Sequence, residues 1–287
     1  MNKKERKDYE TAIKKNSYLK KRIYQCELML HKKFMPLLFS GTSHKQFASD
    51  ICKRYKFTLG ECEIKQFSCG ETYVKLGTRV RGERCYVVQT ITSRANDDFM
   101  EIFLLADALR RHDASEIIAI IPHFGYARQD RRAVMGEPIS AKLVADLLVS
   151  SGVTSVISFD LHSDQIEGFF GIPVDNLHCY ELFADYFIKK KLRDIVVVAP
   201  DAGAAKMARR LALLLKAPIA ILHKRRPSHN KVEHTHIVGD INGKTAILFD
   251  DMIDTGGTTV SSCGELIKHG AREVYAAVTH PVFSGPA

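Results

Sequence analysis

From residue 36 onward, short apolar and β-branched runs alternate with amphipathic stretches of helical period, which leaves the chain few possible architectures. Strand-like runs at 37–40, 85–90, 116–122, 155–160, 195–199, 218–223, 245–250 and 273–279 are separated by helical patterns. Those patterns fall near 44–55, 97–111, 139–150, 179–190, 202–215 and 257–269. Strand and helix alternating at this spacing predict parallel sheets with helices on both faces. A count of about nine strands is high for one open sheet of this length. Residues 171–176 supply a joint, with a Gly, a Pro and little periodicity. The expected organisation is a basic N-terminal extension (1–36) and two doubly wound α/β domains, 37–175 and 176–287.

Composition narrows the function classes. The longest apolar runs are strand-sized, well short of the ~18 residues that span a bilayer. The start, MNKKERKDYE, has no apolar signal stretch, so a cytoplasmic protein with no membrane partner is expected. Seven cysteines form no CxxC pair and no zinc-type spacing, so any metal should be held by oxygen. Residues 1–36 hold eleven Lys/Arg against four Asp/Glu, which is +7 of the chain's net +9. A nucleic-acid binder would spread its basic residues over the folded surface, so nucleic acid is not an expected partner. The terminal segment itself reads as a solvated helix or arm.

Chemistry concentrates where strands end, the usual ligand edge of such sheets. The most specific segment is Asp250-Asp251-Met252-Ile253-Asp254-Thr255-Gly256-Gly257-Thr258-Thr259. Gly256 and Gly257 let the backbone approach an anion, and the following helix start adds positive potential. Thr255, Thr258 and Thr259 add hydroxyls. The adjacent carboxylates suit sugar hydroxyls or the metal that accompanies them. A plain helix cap would not need three buried-strand carboxylates, which are costly. The segment reads as a ribose-phosphate cradle.

Other strand ends carry further candidates. The loop 122–132 places Tyr126, Arg128, Gln129 and Asp130 together, and Arg can fork onto phosphate or stack on a base. His162 follows an apolar strand between Asp160 and Asp164, suiting a place near Mg²⁺-phosphate. Asp201 repeats the strand-Asp-Gly-helix pattern, as a helix cap or as a metal or ribose contact. Lys224-Arg225-Arg226 leave a strand into a polar loop, which suits a cationic closure over a transferring phosphoryl group. Phe67-Ser68-Cys69-Gly70-Glu71, after a short strand, is a weaker nucleotide candidate.

These segments, in this order, resemble the ribose-phosphate pyrophosphokinase family over roughly residues 37–287; the 250–259 loop resembles the PRPP-binding motif shared with phosphoribosyltransferases. The resemblance implies transfer of the β,γ-pyrophosphoryl group of MgATP to the C1 hydroxyl of ribose 5-phosphate, giving PRPP and AMP. It implies ATP binding by Phe67, Cys69, Gly70, Glu71, Arg128, Gln129 and His162. Lys224 and Arg226 would be catalytic. Ribose 5-phosphate would be held by Arg226, Asp250, Asp251, Asp254, Thr255, Gly256, Gly257 and Thr258. Mg²⁺ would lie at His162 and Asp201, with inorganic phosphate as an activator and a dimer-based homo-oligomer, up to a hexamer. The family usually has Asp or Asn where this chain has Cys69. Family members also run on past the position of Ala287, so the second domain is expected to be short of its final elements. Two other functions remain in view: a catalytically impaired regulatory subunit, and a phosphoribosyltransferase.

Overall fold

The structure, a computed structural model, describes residues 36–225 and 234–287. The first sheet has six parallel strands in the order β2-β1-β5-β6-β7-β8. These are β1 (Leu37–Ser40), β2 (Thr58–Leu59), β5 (Arg84–Val88), β6 (Glu116–Ile121), β7 (Ser155–Phe159) and β8 (Val174–Leu177). The second sheet runs β11-β10-β9-β12-β13. Its strands are β9 (Ile195–Ala199), β10 (Ile219–Arg225), β11 (His234–Val238), β12 (Thr245–Ile253) and β13 (Glu273–Pro281). All its pairings are parallel except β10 with β11.

Helices α1 (Lys45–Tyr55), α2 (Ala95–Arg111) and α3 (Ser140–Ser151) flank the first sheet, and α4 (Tyr180–Lys190), α5 (Ala205–Leu215) and α6 (Gly257–Lys268) the second. The central strands explain the two-sided cover. β6 reads Glu-Ile-Ile-Ala-Ile-Ile and is buried along nearly its whole length, as a parallel strand between helical layers must be. On one face of the first sheet Phe39, Val87 and Ile121 pack with Ile102 and Leu105 of α2 and Leu148 of α3; on the other, Leu38 and Val88 pack with Ala48 of α1. In β9, Val197 faces Leu211 of α5 while Val196 and Val198 face Leu266 of α6. Phe249, fully buried immediately before Asp250, anchors the strand that carries the acidic pair; truncating such a residue to Ala costs roughly 3–5 kcal/mol.

Four features depart from the sequence expectation. The strand β8 pairs with β7, so the first sheet runs to Leu177 and a division after residue 175 would cut β8. An antiparallel hairpin of β3 (Cys62–Gln66) and β4 (Thr72–Leu76) pairs with neither sheet but packs Cys62, Ile64, Val74 and Leu76 against the first core. β12 continues to Ile253 instead of ending at Asp250, because β13 pairs with it as far as Pro281. β10 likewise extends to Arg225, in register with β11, so Lys224 and Arg225 belong to a strand rather than to a loop. β13 forms an edge of the second sheet, pairing with β12 alone among the described residues. Also among the described residues, no helix is long and apolar enough to cross a membrane.

The two sheets share a connectivity that fixes where ligands fit. From β1 the chain passes through α1 to β2 on one side, and β5 then enters on the other. From β9 it passes through α5 to β10, and β12 enters on the opposite side. Each sheet therefore has a crevice at its topological switch point, between β1 and β5 and between β9 and β12.

Candidate active site

The crevice of the first sheet is closed by its own side chains. Glu101 accepts the Thr42 N–H (2.8 Å), the Thr42 hydroxyl (2.7 Å) and the Gln89 amide (2.7 Å). Asp98 accepts the Thr92 N–H (2.7 Å) and hydroxyl (2.6 Å). Gln89, Asp98 and Glu101 are all buried. A Cβ at Gly41 would lie 2.2 Å from Gln89 Oε1 and would push that amide away from Ser43 and Glu101.

The crevice of the second sheet is built differently. Asp250 and Asp251 are consecutive on β12, and the Asp251 N–H bonds back to Asp250 Oδ1 at 2.9 Å. Burial, then the neighbouring Asp251 charge, push the Asp250 carboxyl up to about 7, and Asp201 adds a smaller push in the same direction. Asp251 takes the opposite course. Burial pulls it up, but the His162 hydrogen bond and charge outweigh this and hold it below the usual range. His162 Nδ1 donates to Asp251 Oδ2 at 2.7 Å, and this bond raises the imidazole pKa against the effect of burial, with Asp130 contributing further. The pair is 89 residues apart in sequence and joins the two halves. Asp160 and Asp164, the sequence neighbours expected to flank His162, instead bond elsewhere: Asp164 pairs with Lys206, and Asp160 with His178, Cys179 and Thr279.

Beyond β12, Gly256 adopts φ 76° and opens α6 without a side-chain cap. The first N–H groups of α6, like those of any helix, lack an intrahelical acceptor, and the left-handed Gly256 leaves no side chain before them, which suits an anion. Asp201 Oδ1 accepts the Ala204 N–H at 3.0 Å, so it caps the turn before α5 while its charge acts on Asp250.

A cleft of about 280 Å³ lies between the halves. Phe124, Tyr126, Arg128 and Gln129 line it from the first half, and Met252, Asp254 and Val282 from the second. Arg128 Nη1 donates to Asp254 Oδ2 across it at 3.2 Å, with the two side chains 61% and 40% exposed. An ion pair this open contributes little stability, so a ligand can displace it. Gln129 is fastened to the start of α3, accepting the Ser140 hydroxyl at 2.6 Å. Phe124, Met252 and Val282 were not marked by sequence; as apolar residues in and beside strands they look like core.

Phe67, Cys69, Gly70 and Glu71 form the turn of the β3–β4 hairpin. Gly70 sits at φ 92°, its N–H bonded to Phe67 O, and Phe67 packs edge-on against Tyr73. Among the described residues no hydrogen bond or ring contact joins this tip to Arg128, Gln129 or His162. Phe67 is 46% exposed. Lys224 lies at the end of β10, and Arg226 falls outside the described residues.

Comparisons with known proteins agree on one relationship. Residues 36–152 match the N-terminal domain of ribose phosphate pyrophosphokinase, and residues 176–285 match the phosphoribosyl transferase domain. The ribose-phosphate pyrophosphokinase of Bacillus subtilis (strain 168) is 48% identical over 250 residues, spanning 87% of this chain and 79% of that protein. The protein of the same name from Corynebacterium ammoniagenes matches with the same figures. The crystal structure of phosphoribosylpyrophosphate synthetase from Mycobacterium smegmatis superposes with a TM-score of 0.83 at 40% identity, covering 88% of this chain and 83% of that one.

Proposed function

The chain belongs to the ribose-phosphate pyrophosphokinase family, and from that premise we propose that it transfers the β,γ-pyrophosphoryl group of ATP to the C1 hydroxyl of ribose 5-phosphate. One observation carries the reading. The nucleotide-type loop at 126–129 and two residues of the ribose-phosphate-type segment, Met252 and Asp254, line one cleft and touch at Arg128–Asp254. A reaction between two bound substrates gains most from being held in line in a single site.

In this mechanism the uncapped start of α6 and the Thr255 and Thr258 hydroxyls take the 5-phosphate, while Asp250 and Asp251 orient the ribose hydroxyls. Arg128, released from Asp254, forks onto ATP phosphate, and Gln129 stays fixed through Ser140. Lys224 and Arg226 offset the charge that builds on the transferring group. No three metal-ligating side chains converge among the described residues; the reading of a Mg²⁺ beside His162 and Asp201 rests on Asp250, whose buried charge next to Asp251 a hard cation would relieve. When bound, the cation would draw charge from the phosphoryl oxygens. The proposal includes self-association, a phosphate-responsive activity and a cytoplasmic site of action.

The test is incubation with ATP, Mg²⁺, phosphate and ribose 5-phosphate. Sugar-dependent AMP that disappears in Lys224→Ala is expected. ADP in place of AMP would mean γ-transfer. No product from a folded sample that binds the sugar phosphate would favour an impaired subunit. Activity requiring PRPP and a base would indicate a phosphoribosyltransferase.

A further inference from the structure

Asp160 stands outside the machinery above, yet three elements hold it at once. It is 3% exposed, at the end of β7, with a backbone φ of 39°. That left-handed conformation is uncommon away from glycine and persists only where the surroundings over-determine it. The surroundings here are three separate elements. From the link into α4, His178 Nδ1 donates to Asp160 Oδ1 at 2.9 Å and the Cys179 N–H to Oδ2 at 3.1 Å. From β13, the Thr279 hydroxyl donates to Oδ2 at 2.6 Å, and His280 Nε2 reaches the Phe159 carbonyl at 2.8 Å. From β8, Leu177 O accepts the Asp160 N–H at 2.9 Å, and Asn176 Oδ1 accepts the Leu161 N–H at 3.1 Å.

The consequence lies two residues on. The turn buries Leu161 and sends His162 across to Asp251. Thr279 and His280 sit on the strand paired with the one bearing Asp251, since Asp250 is in register with Val278 and Met252 with His280. One carboxylate thus ties the turn that carries His162 to the strand beside Asp251. We propose that Asp160, through Thr279, is a positioning residue that docks the two halves so that His162 meets Asp251. A hydrogen bond of 2.7 Å does not survive a displacement of about 1 Å, and a misplacement of that size can cost a reaction about a hundredfold.

The role in turnover rests on the transfer activity proposed above, so the test carries one reading that needs no activity. Thr279→Val deletes the hydroxyl at nearly constant volume, and Thr279→Ser restores it. In the ligand-free protein, the downfield imidazole proton of His162, assigned by its loss in His162→Ala, should vanish in Thr279→Val and return in Thr279→Ser. In turnover, Thr279→Val should lower kcat about ten- to hundredfold with each KM changed less than about threefold. That loss should disappear in a His162→Ala background, because coupled residues are not additive. Persistence of the His162 signal in Thr279→Val, or an equal loss of kcat in both backgrounds, would overturn the proposal. A wild type with an intact, Thr279-dependent signal but no transfer activity would support the clasp and count against the proposed reaction alone.

Discussion

In the first sheet, the crevice between β1 and β5 is filled by Glu101 and Asp98, whose oxygens take donors from Thr42, Gln89 and Thr92. In the second sheet, the same topological position holds Asp250 and Asp251 side by side, ahead of a helix that opens on the left-handed Gly256. A buried carboxylate is tolerated where donors surround it and is costly where they are lacking. In the first crevice both carboxylates find their donors within the protein, with Arg94 beside them. The second leaves Asp250 pushed up to about 7, and such stored cost is typical of a site that a ligand finishes. On the proposed function, one connectivity would serve stability in one half and binding in the other.

The largest expected effect comes from Asp250→Asn, which keeps the shape and removes the repelled charge. Sugar-dependent AMP formation should fall by about a thousandfold, near 4 kcal/mol, while the thermal midpoint holds or rises. A fall in both activity and midpoint would mean that the second crevice, like the first, is mainly structural. Glu101→Ala should do the reverse. Leaving the Thr42 N–H and the Gln89 amide unpaired should cost about 2–4 kcal/mol in chemical denaturation, with the KM for ribose 5-phosphate changed little.

The acidic crevice should also govern the pH dependence of the ligand-free protein. Asp250 is raised in the folded state, so between roughly pH 4 and 7 the fold holds a proton that the unfolded chain has released. His162, also raised, keeps its contribution below its unfolded pKa and loses it as pH climbs through the folded one. Both act in one direction, and His280 and His44, lowered by burial, act against them on the acid side; the net change from about pH 5 to 8 should be a decline of about 1–2 kcal/mol. Asp250→Asn should flatten the acid side of that decline, as urea titrations across this range would show. The smallest effect concerns the hairpin tip. An Asp at position 69 would supply an acceptor that the thiol does not, so Cys69→Asp should lower the KM for ATP by up to about tenfold, 0.5–1.5 kcal/mol. An unchanged KM would remove the tip from the nucleotide site.

Much of this was legible in the chain, and the gaps have physical causes. The runs that became β6, β9 and β12 are continuously apolar because helices cover both of their faces, so periodicity found them. β3, Cys-Glu-Ile-Lys-Gln, is the short strand read before Phe67, but its partner β4 is mostly half-exposed, β8 is only Val-Asp-Asn-Leu, and β11 is a His- and Thr-rich edge strand, so these three carry no strong alternating signal. The 250–258 loop declared itself through glycines and acids packed into few residues. The partner of His162 did not. Asp164 was the nearer candidate in sequence, yet the fold gives it to Lys206 and brings in Asp251 from the other half. Glu101 and Asp98 were unreadable as a buried network because, on a 17-residue helix, charged residues ordinarily mark the solvated face.

The most direct test of this contrast is the calorimetric affinity for ribose 5-phosphate, in the presence of Mg²⁺, of the wild type, Asp250→Asn and Glu101→Gln. The account predicts binding that weakens at least about tenfold in Asp250→Asn, the loss of one charge-assisted contact, and stays at the wild-type level in Glu101→Gln. Wild-type affinity in Asp250→Asn together with a loss in Glu101→Gln would place the sugar phosphate in the first crevice and contradict it.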